Sequence, residues 1–435
     1  MTAEIGIMNK MAVALAADSA VTIGIHNGQK IYHSANKLFA LSKYHPVGIM
    51  IYGNAQLMGV PWETIIKVYR TELGQRSFRT LQEYCEDFIS FLNTNNVYFP
   101  ESEQSRYMQI TAYHYFQKIT EDIEKAIIEK LKGQNSISEH ETEVIVQDII
   151  AKHYRQLKNI ERLPAFTEQF SKNFIKKHRP VIVEIIKKAF EGLPLGDVQV
   201  DQLLYICACL FTRNRFPKET SGVVIAGFGE DEIFPSLFSY NIECIIDNTL
   251  KYRREQAEKI GEETTAAIIP FAQSEMVYTF LQGIDPNLDL ISRYYLHHVF
   301  YSFPEIITEE LLKKESKEIK KKVKEKLRKS TLTLYNNYIE QLEKIRFEQY
   351  TQPILDIVQF LPKDELAAMA ESLVNLTSFK RKITVGAETV GGPVDVAVIS
   401  KGDGFIWIKR KHYFEAKLNP HFFDHYTRGV QSGKE

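Results

Sequence analysis

Three residues near the start of the chain, Thr2, Asp18 and Lys37, carry groups that could work together on a carbonyl. If the chain is cut after Met1, Thr2 bears a hydroxyl and a free α-amine on adjacent carbons. Such an amine has an unperturbed pKa of roughly 7.7–8.0, so part of it is neutral near pH 7 and can take the hydroxyl proton. An ammonium at Lys37 would disfavour the protonated amine, and a carboxylate at Asp18 would hold Lys37 charged and oriented. The chemistry implied is nucleophilic attack by a threonine whose base is its own amine. Each residue has a plain alternative when taken alone. Many chains begin Met-Thr, Asp18-Ser19 reads as a strand-end turn, and a single lysine is usually a surface residue.

Other candidate groups have stronger structural readings. Gly227-x-Gly229 is followed by Glu230, Asp231 and Glu232, whose charges repel phosphate. Cys207 and Cys209 lie in the apolar run LLYICACLF with no second cysteine pair after them, which fits a core helix better than a zinc site. His297 and His298 are adjacent, hence on different sides of a helix. His421, Asp424 and His425 could share a helical face as metal ligands, although a tail with incidental polar residues accounts for them, and no metal is expected. No G-x-S-x-G nucleophile turn is found.

The elements around the candidate groups are short and β-rich. Thr2–Met8 and Met11–Ala17 read as strands joined at Asn9-Lys10, and Val21–Ile25 and Lys30–His33 as a second pair flanking His26-Asn27-Gly28. Lys37–Leu41 and Val47–Tyr52 are further strand-like runs, and Gly53 ends them. Helices are expected over Gln56–Leu73 and Phe78–Asn93, the second capped by Ser77. From Thr94 to Glu219 the period is helical. Strand patterns return at Gly222–Phe228 and Ser236–Ile242, with a helix at Ser274–Gln282. A second helical block covers Asp285–Pro362, and in its basic run Ile319, Val323 and Leu327 form one thin apolar stripe on a solvated helix. A helix at Asp364–Lys380 precedes strands Val394–Ser400 and Gly404–Lys411. Strands at both ends and in the middle, separated by helical blocks, predict an α+β fold of two sheets covered by helices, with long insertions.

Composition bounds the function without choosing it. The 435 residues carry a formal net charge of −1, which lacks the electrostatic footprint of a dedicated nucleic-acid binder. No apolar run approaches the roughly 18 residues of a membrane span. The opening MTAEIGIMNKMAVALAAD has no basic n-region and is interrupted by Asn9-Lys10 and Asp18-Ser19, so it reads as a hairpin rather than a signal peptide, and a cytoplasmic location is expected. Four cysteines are too few for a disulfide framework in a chain of this length.

The run TAEIGIMNKMAVALAADSAVT resembles the opening of proteasome β-type subunits and their bacterial relatives, which are N-terminal nucleophile hydrolases. With Thr2 on that family's nucleophile, Asp18 falls on its acidic residue without a gap. Thr22 falls on the threonine whose backbone pairs with substrate. A small insertion around residues 26–30 brings Lys37 onto the catalytic lysine, and Gly53 matches the glycine whose N–H forms the oxyanion hole. Val21, Ala35 and Phe39 fall where the family lines its specificity pocket, and all three are apolar. Later, GVVIAGFGEDEIFPSLFSYNIE resembles the central hairpin, TTAAIIPFAQSEMVYTFLQG sits where the family has a Gly-Ser-Gly-Ser run before a helix, and AETVGGPVDVAVISKGDGFIWI resembles the Gly-Gly turn and last two strands. The chain departs from the family pattern at two points. The supporting serine maps to Ala272, with Ser274 two residues away. The Asp-x-x-Ser-Gly-Gly motif maps to Ala387-Glu388-Thr389-Val390-Gly391-Gly392, where Glu388 or Thr389 is the available stand-in.

The resemblance implies an αββα sandwich of two antiparallel sheets, interrupted by helical insertions. Its expected parts are a first core segment 1–93, a helical insertion 94–219, core 220–284, a second insertion 285–362, core 363–412, and a tail 413–435. It implies a threonine-type endopeptidase or amide hydrolase that needs no cofactor, acts on a polypeptide or amide, assembles as a homo-oligomer, and works with a regulatory or unfoldase partner. The missing accessory residues motivate a second reading as an inactive scaffold or assembly protein. A third is an amidase for a small molecule, with the insertions closing over its pocket.

Overall fold

The computed structural model describes residues 2–25, 28–94, 97–133, 136–217, 220–384, 390–412 and 414–421. Its strands are β1 (Ala3–Asn9), β2 (Ala12–Ala17), β3 (Val21–Ile25), β4 (Gly28–Tyr32), β5 (Leu38–Ala40), β6 (Val47–Gly53), β7 (Gln56–Leu57), β8 (Val60–Pro61), β9 (Ser221–Gly227), β10 (Ser236–Ile246), β11 (Thr249–Lys259), β12 (Ala266–Ala272), β13 (Asp395–Ser400) and β14 (Gly404–Lys409). Helices are α1 (Trp62–Leu73), α2 (Leu81–Thr94), α3 (Glu101–Leu131), α4 (Glu139–Lys158), α5 (Glu168–Ala189), α6 (Asp197–Thr212), α7 (Glu275–Gln282), α8 (Pro286–Leu311), α9 (Lys317–Arg346), α10 (Gln352–Val358) and α11 (Lys363–Ile383). One antiparallel sheet has the strand order β12-β1-β2-β13-β14, and a second has the order β11-β10-β9-β6-β5. The fold is therefore mixed α+β with two antiparallel sheets. No described helix is long and apolar enough to cross a membrane.

The chain divides into two compact units, the first comprising residues 1–52, 226–236 and 258–435, the second residues 53–225 and 237–257. In the first unit every residue of β1 and β2 is buried, which requires cover on both faces. Ala3, Ile5 and Ile7 of β1 and Ala12, Ala14 and Ala16 of β2 pack with Leu366, Ala370 and Val374 of α11. Side chains alternate along a strand, so Thr2, Glu4, Gly6 and Met8 point away from that helix. On that opposite face β5 and β6 close over the sheet, so near that a Cβ on Gly48 would lie 2.7 Å from Ile399. The small residues of AVALAA are thus needed for the helices and the second layer to approach. The β1–β2 turn is organised by Asn9, whose Oδ1 accepts from Met11 N at 2.9 Å and Ala12 N at 3.2 Å. Its Nδ2 donates to the carbonyls of Val358 at 3.0 Å and Leu361 at 2.9 Å, which ties the hairpin to the end of α10.

The second unit is built on the helices α3–α6. Met108, Phe116, Ile150, Phe174, Ile182 and Leu204 are fully or almost fully buried in one cluster. Helix α6 is buried nearly all round, and Cys207 and Cys209 are part of that core. Burial raises both thiols above the usual range, so they are inert apolar fillers.

Several element boundaries differ from the sequence expectation, with physical causes. The helix expected from Gln56 begins at Trp62, because Met58 and Gly59 take positive φ values of 48° and 88° and turn the chain into the β7–β8 hairpin. The second helix begins at Leu81, and Thr80 Oγ1 accepts from Glu83 N at 3.3 Å, the capping role expected of Ser77. Strand β11 was not expected. Its sequence TLKYRREQAEK is too charged for a central strand, but β11 lies at a sheet edge, where exposed charge is tolerated. Pro270 in β12 is accommodated for the same reason.

Candidate functional site

Asp18 follows directly on β2, and its carboxylate organises the surrounding loops. Its Oδ1 accepts from Ala3 N at 3.2 Å and from Lys37 Nζ at 2.5 Å. Its Oδ2 accepts from Gly391 N at 2.9 Å and Ala20 N at 3.4 Å. Asp18 N donates to the Ala3 carbonyl at 3.1 Å, so the acid is locked beside the residue that follows Thr2. Asp18 is 1% exposed and Lys37 6%, so the ion pair is withdrawn from water. Lys37 immediately precedes β5, and its carbonyl accepts from Ile51 N of β6 at 2.8 Å, which holds its backbone against the second layer. Ser19 continues the seam: its hydroxyl donates to the Pro393 carbonyl, and its N–H to the Gly391 carbonyl at 3.2 Å. Gly391 and Gly392 have φ values of 153° and 81°, and a Cβ on Gly392 would lie 2.8 Å from His33 Cβ. The Gly-Gly turn is thus sterically required where it meets Asp18.

Thr2 is 5% exposed, and its Oγ1 has no hydrogen-bond partner among the described residues. Its carbonyl accepts from Gln273 N at 3.1 Å, just past the end of β12. The structure thus brings Thr2, Asp18 and Lys37 of the sequence expectation into one buried corner. It also adds Glu4, which sequence reasoning did not single out. Glu4 lies 3.4 Å from Lys37 Nζ through Oε1, is 2% exposed, and neither carboxylate oxygen accepts an aligned hydrogen bond. Burial pushes its carboxyl up to about 8; Lys37 opposes the shift and the Asp18 charge adds to it. The Thr2 hydroxyl stands near enough to favour the charged carboxylate, yet without hydrogen-bond alignment. A signal for Glu4 existed in the sequence. It is two residues from Thr2 on a strand, and it is the lone charge in AEIGIMN.

The remaining candidate residues fall as follows. Ala272 has a φ of 57°, an unfavourable conformation for a residue with a Cβ, and pairs with Ala3. Ser274 is half-buried at the start of α7 and makes no side-chain capping bond. Between them Gln273 is buried, and its Oε1 accepts from Arg381 Nε of α11. Arg381 also donates to Glu275 at 3.0 and 3.2 Å. Neither Gln273 nor Arg381 was anticipated. Glu388 and Thr389 lie outside the described residues, as do Asp424 and His425. Thr22 stands opposite Ile31 in the β3–β4 ladder. Val21 and Ala35 are half-buried, and Ala35 N donates to the Ser19 carbonyl at 3.1 Å; Phe39 is buried opposite Ile49. Gly53 belongs to the second unit. Its φ is 76°, and a Cβ there would lie 2.3 Å from the Thr220 carbonyl oxygen.

Other polar clusters have structural explanations. A Cβ on Gly227 would lie 2.0 Å from the Pro46 carbonyl oxygen, and Gly229 N donates to Glu232 at 2.7 Å, so this glycine pair serves a close backbone approach and a turn. In the second unit, Lys251 is fully buried and donates to the carbonyls of Leu210 and Arg215 at 2.6 and 2.7 Å while pairing with Glu243. Two concave sites, of about 520 Å³ beside Lys67 on α1 and about 340 Å³ around Tyr113 and Val181, also belong to the second unit, and no residue of the Thr2 corner lines them. Among the described residues no cluster of His, Cys, Asp and Glu could hold a metal ion.

No protein-family model matches the chain, and no curated protein matches it. Among solved structures, the chain is similar to one described as the Anbu (Gly-1) mutant from Hyphomicrobium sp. strain MC1, with 9% sequence identity, a TM-score of 0.25, and coverage of 100% of this chain and 98% of that one.

Proposed function

We propose that the chain is a proteasome-like threonine peptidase or amide hydrolase with the αββα arrangement of N-terminal nucleophile hydrolases, in which Thr2, freed by a cut after Met1, is the nucleophile. The observation that carries this reading is the buried ion pair of Lys37 and Asp18, at 2.5 Å, anchored beside Thr2 by the Ala3 and Gly391 N–H groups. A surface lysine would not be desolvated and fixed in this way. In the proposed cycle Thr2 Oγ1 attacks the carbonyl carbon, and its proton leaves for a neighbouring base. A backbone N–H stabilises the oxyanion, and water then hydrolyses the acyl-enzyme ester. Thr22 would align an extended substrate, with Val21, Ala35 and Phe39 lining an apolar specificity pocket. Ser274 and Glu388 are the candidates for accessory roles.

The second reading, a scaffold without turnover, is favoured by Ala272 at the position where the family pattern has a serine. Intact mass before and after treatment with a threonine-directed electrophile, followed by peptide mapping, separates the two. The hydrolase predicts a chain starting at Thr2 and a single adduct there. A retained Met1 and no adduct would refute it in favour of the scaffold. Profiling with peptides and with small amides then distinguishes a peptidase from a small-molecule amidase.

A further inference from the structure

A buried carboxylate with both oxygens lacking aligned donors needs an explanation, because among the described residues its desolvation is offset by one lysine that already serves Asp18 and by a Thr2 hydroxyl that is near but not aligned. Glu4 stands opposite Phe271 on β12 and Ala17 on β2, so its strand neighbours are apolar. Phe271 in turn stacks with Tyr52 of β6 at 5.6 Å between ring centroids, which closes the second layer over this part of the sheet. Among the described residues, the charged or titratable groups nearest Glu4 are Lys37 and Asp18, with Tyr52 beyond Phe271, and cleavage would add the α-amine of Thr2. Arg381 is engaged with Gln273 and Glu275. Thr2 Oγ1, two residues along the same strand face, is itself buried without a partner. Two unpartnered groups, one a proton donor and one a proton acceptor, therefore face one another's side of the strand beside a shared cation.

Building on the reading of Thr2 as nucleophile, we propose that Glu4 is a further catalytic residue, the base that takes the Thr2 hydroxyl proton and later returns it to the leaving amine. In the first step the Thr2 O–H bond breaks as the Oγ1–carbon bond forms, and the proton passes to a Glu4 carboxylate oxygen. In the second, the neutral Glu4 acid protonates the departing nitrogen as the carbon–nitrogen bond breaks. The Lys37 side chain, 3.4 Å away, offsets the charge that Glu4 carries before the first transfer and regains after the second. The raised carboxyl suits the task, since a base is most effective when its pKa lies near the working pH.

The test is the pH profile of electrophile labelling at Thr2, read by mass, in the full chain and in Glu4→Gln. In the wild type the rate should climb about tenfold per pH unit and level off near pH 8. In Glu4→Gln the climb should disappear, with a rate about 10²-fold lower at pH 8. Glu4→Asp, with a shorter reach, should keep the climb at a reduced rate; it also serves if the glutamine variant does not fold. If Glu4 only held the Thr2 α-amine protonated, Glu4→Gln would instead label faster at neutral pH and keep its climb, which would overturn the proposal. Absence of labelling at Thr2 in the wild type would overturn the nucleophile assignment itself, and Glu4 with it.

Discussion

At the scale of single residues, the buried corner makes stability depend on pH in a way that can be checked without any substrate. Glu4 holds its proton in the folded chain up to about pH 8, whereas the usual carboxyl value is 4.5. Between those values the native state binds more protons than the unfolded one. The stability from this group is therefore fully present below about pH 4.5 and is lost as pH rises towards 8, with a limiting slope on the order of 1.4 kcal/mol per pH unit. Glu4→Gln cannot lose its proton, so its denaturation midpoint should exceed that of the wild type by a margin that grows from pH 5 to pH 8. A margin independent of pH would mean that Glu4 is solvated. Lys37 carries the opposite expectation. Lys37→Ala leaves the buried Asp18 carboxylate without its cation, so it should cost about 3–5 kcal/mol in denaturant unfolding and slow labelling at Thr2 by 10²-fold or more. An unchanged midpoint would show that Lys37 is not the partner of Asp18. Gly53 is a backbone case. An added Cβ would meet the Thr220 carbonyl at a φ of 76°, so Gly53→Ala should lower the melting temperature of the second unit by an amount equivalent to more than about 1 kcal/mol.

At the scale of elements, the β1–β2 hairpin depends on one side chain more than on its strands. Asn9 is fully buried and makes four hydrogen bonds, two accepted within the turn and two donated to the carbonyls of Val358, the last residue of α10, and Leu361 just beyond it. Asn9→Ala removes all four bonds, the Val358 carbonyl keeping its bond from Leu361 N at 3.2 Å, and a loss of about 3 kcal/mol in chemical denaturation is expected. A loss under about 0.5 kcal/mol would mean that water replaces it. What was legible in the sequence follows the same division. The short apolar runs at Thr2–Met8, Met11–Ala17, Val394–Ser400 and Gly404–Lys411 and the Asn9-Lys10 turn placed four strands of the first sheet by local chemistry. Thr2, Asp18 and Lys37 were named from their side-chain chemistry and the resemblance of the opening run, and Asp18 and Lys37 pair in the structure. Strand β11 was not, because its pairing with β10 rather than its own charged residues makes it a strand. The starts of α1 and α2 were misplaced for a related reason. Positive φ at Met58 and the Thr80 cap are backbone solutions to tertiary constraints that no helical period reveals. Glu4 escaped notice because a strand charge reads as solvent-facing until both faces of the sheet are known to be covered.

At the scale of the molecule, α8 and α9 are long helices that bury very little. Within them only Pro304 and Thr308 of α8 and Thr331 of α9 are buried, while Leu290, Ile291, Tyr294 and Tyr295 are 67%, 63%, 76% and 67% exposed. Isolated helices draw most of their stability from a covered apolar face, and in the single chain this face is left uncovered. The pair is an antiparallel hairpin closed at its base: Arg346 donates to Asp289 at 2.6 Å, and Arg293 to Glu343 at 2.7 Å. Glu305 meets Lys324 and Arg328 farther out, so its ion pairs are internal to the hairpin. Residues 290–345 can therefore be replaced by a short Gly/Ser linker between Asp289 and Arg346: Asp289 loses Arg293 but keeps Arg346, and the exposed Glu348 loses Lys344. The end of α10 must stay, since Val358 is part of the core of the first unit and the Val358 and Leu361 carbonyls hold Asn9. If the hairpin assembles copies of the chain, the excised protein should have a lower mass in solution by light scattering, and should label at Thr2 at the wild-type rate. An unchanged mass with faster labelling would make the hairpin a lid over the site instead. A folded variant of unchanged mass that no longer labels would show that the hairpin contributes to the chemistry at Thr2.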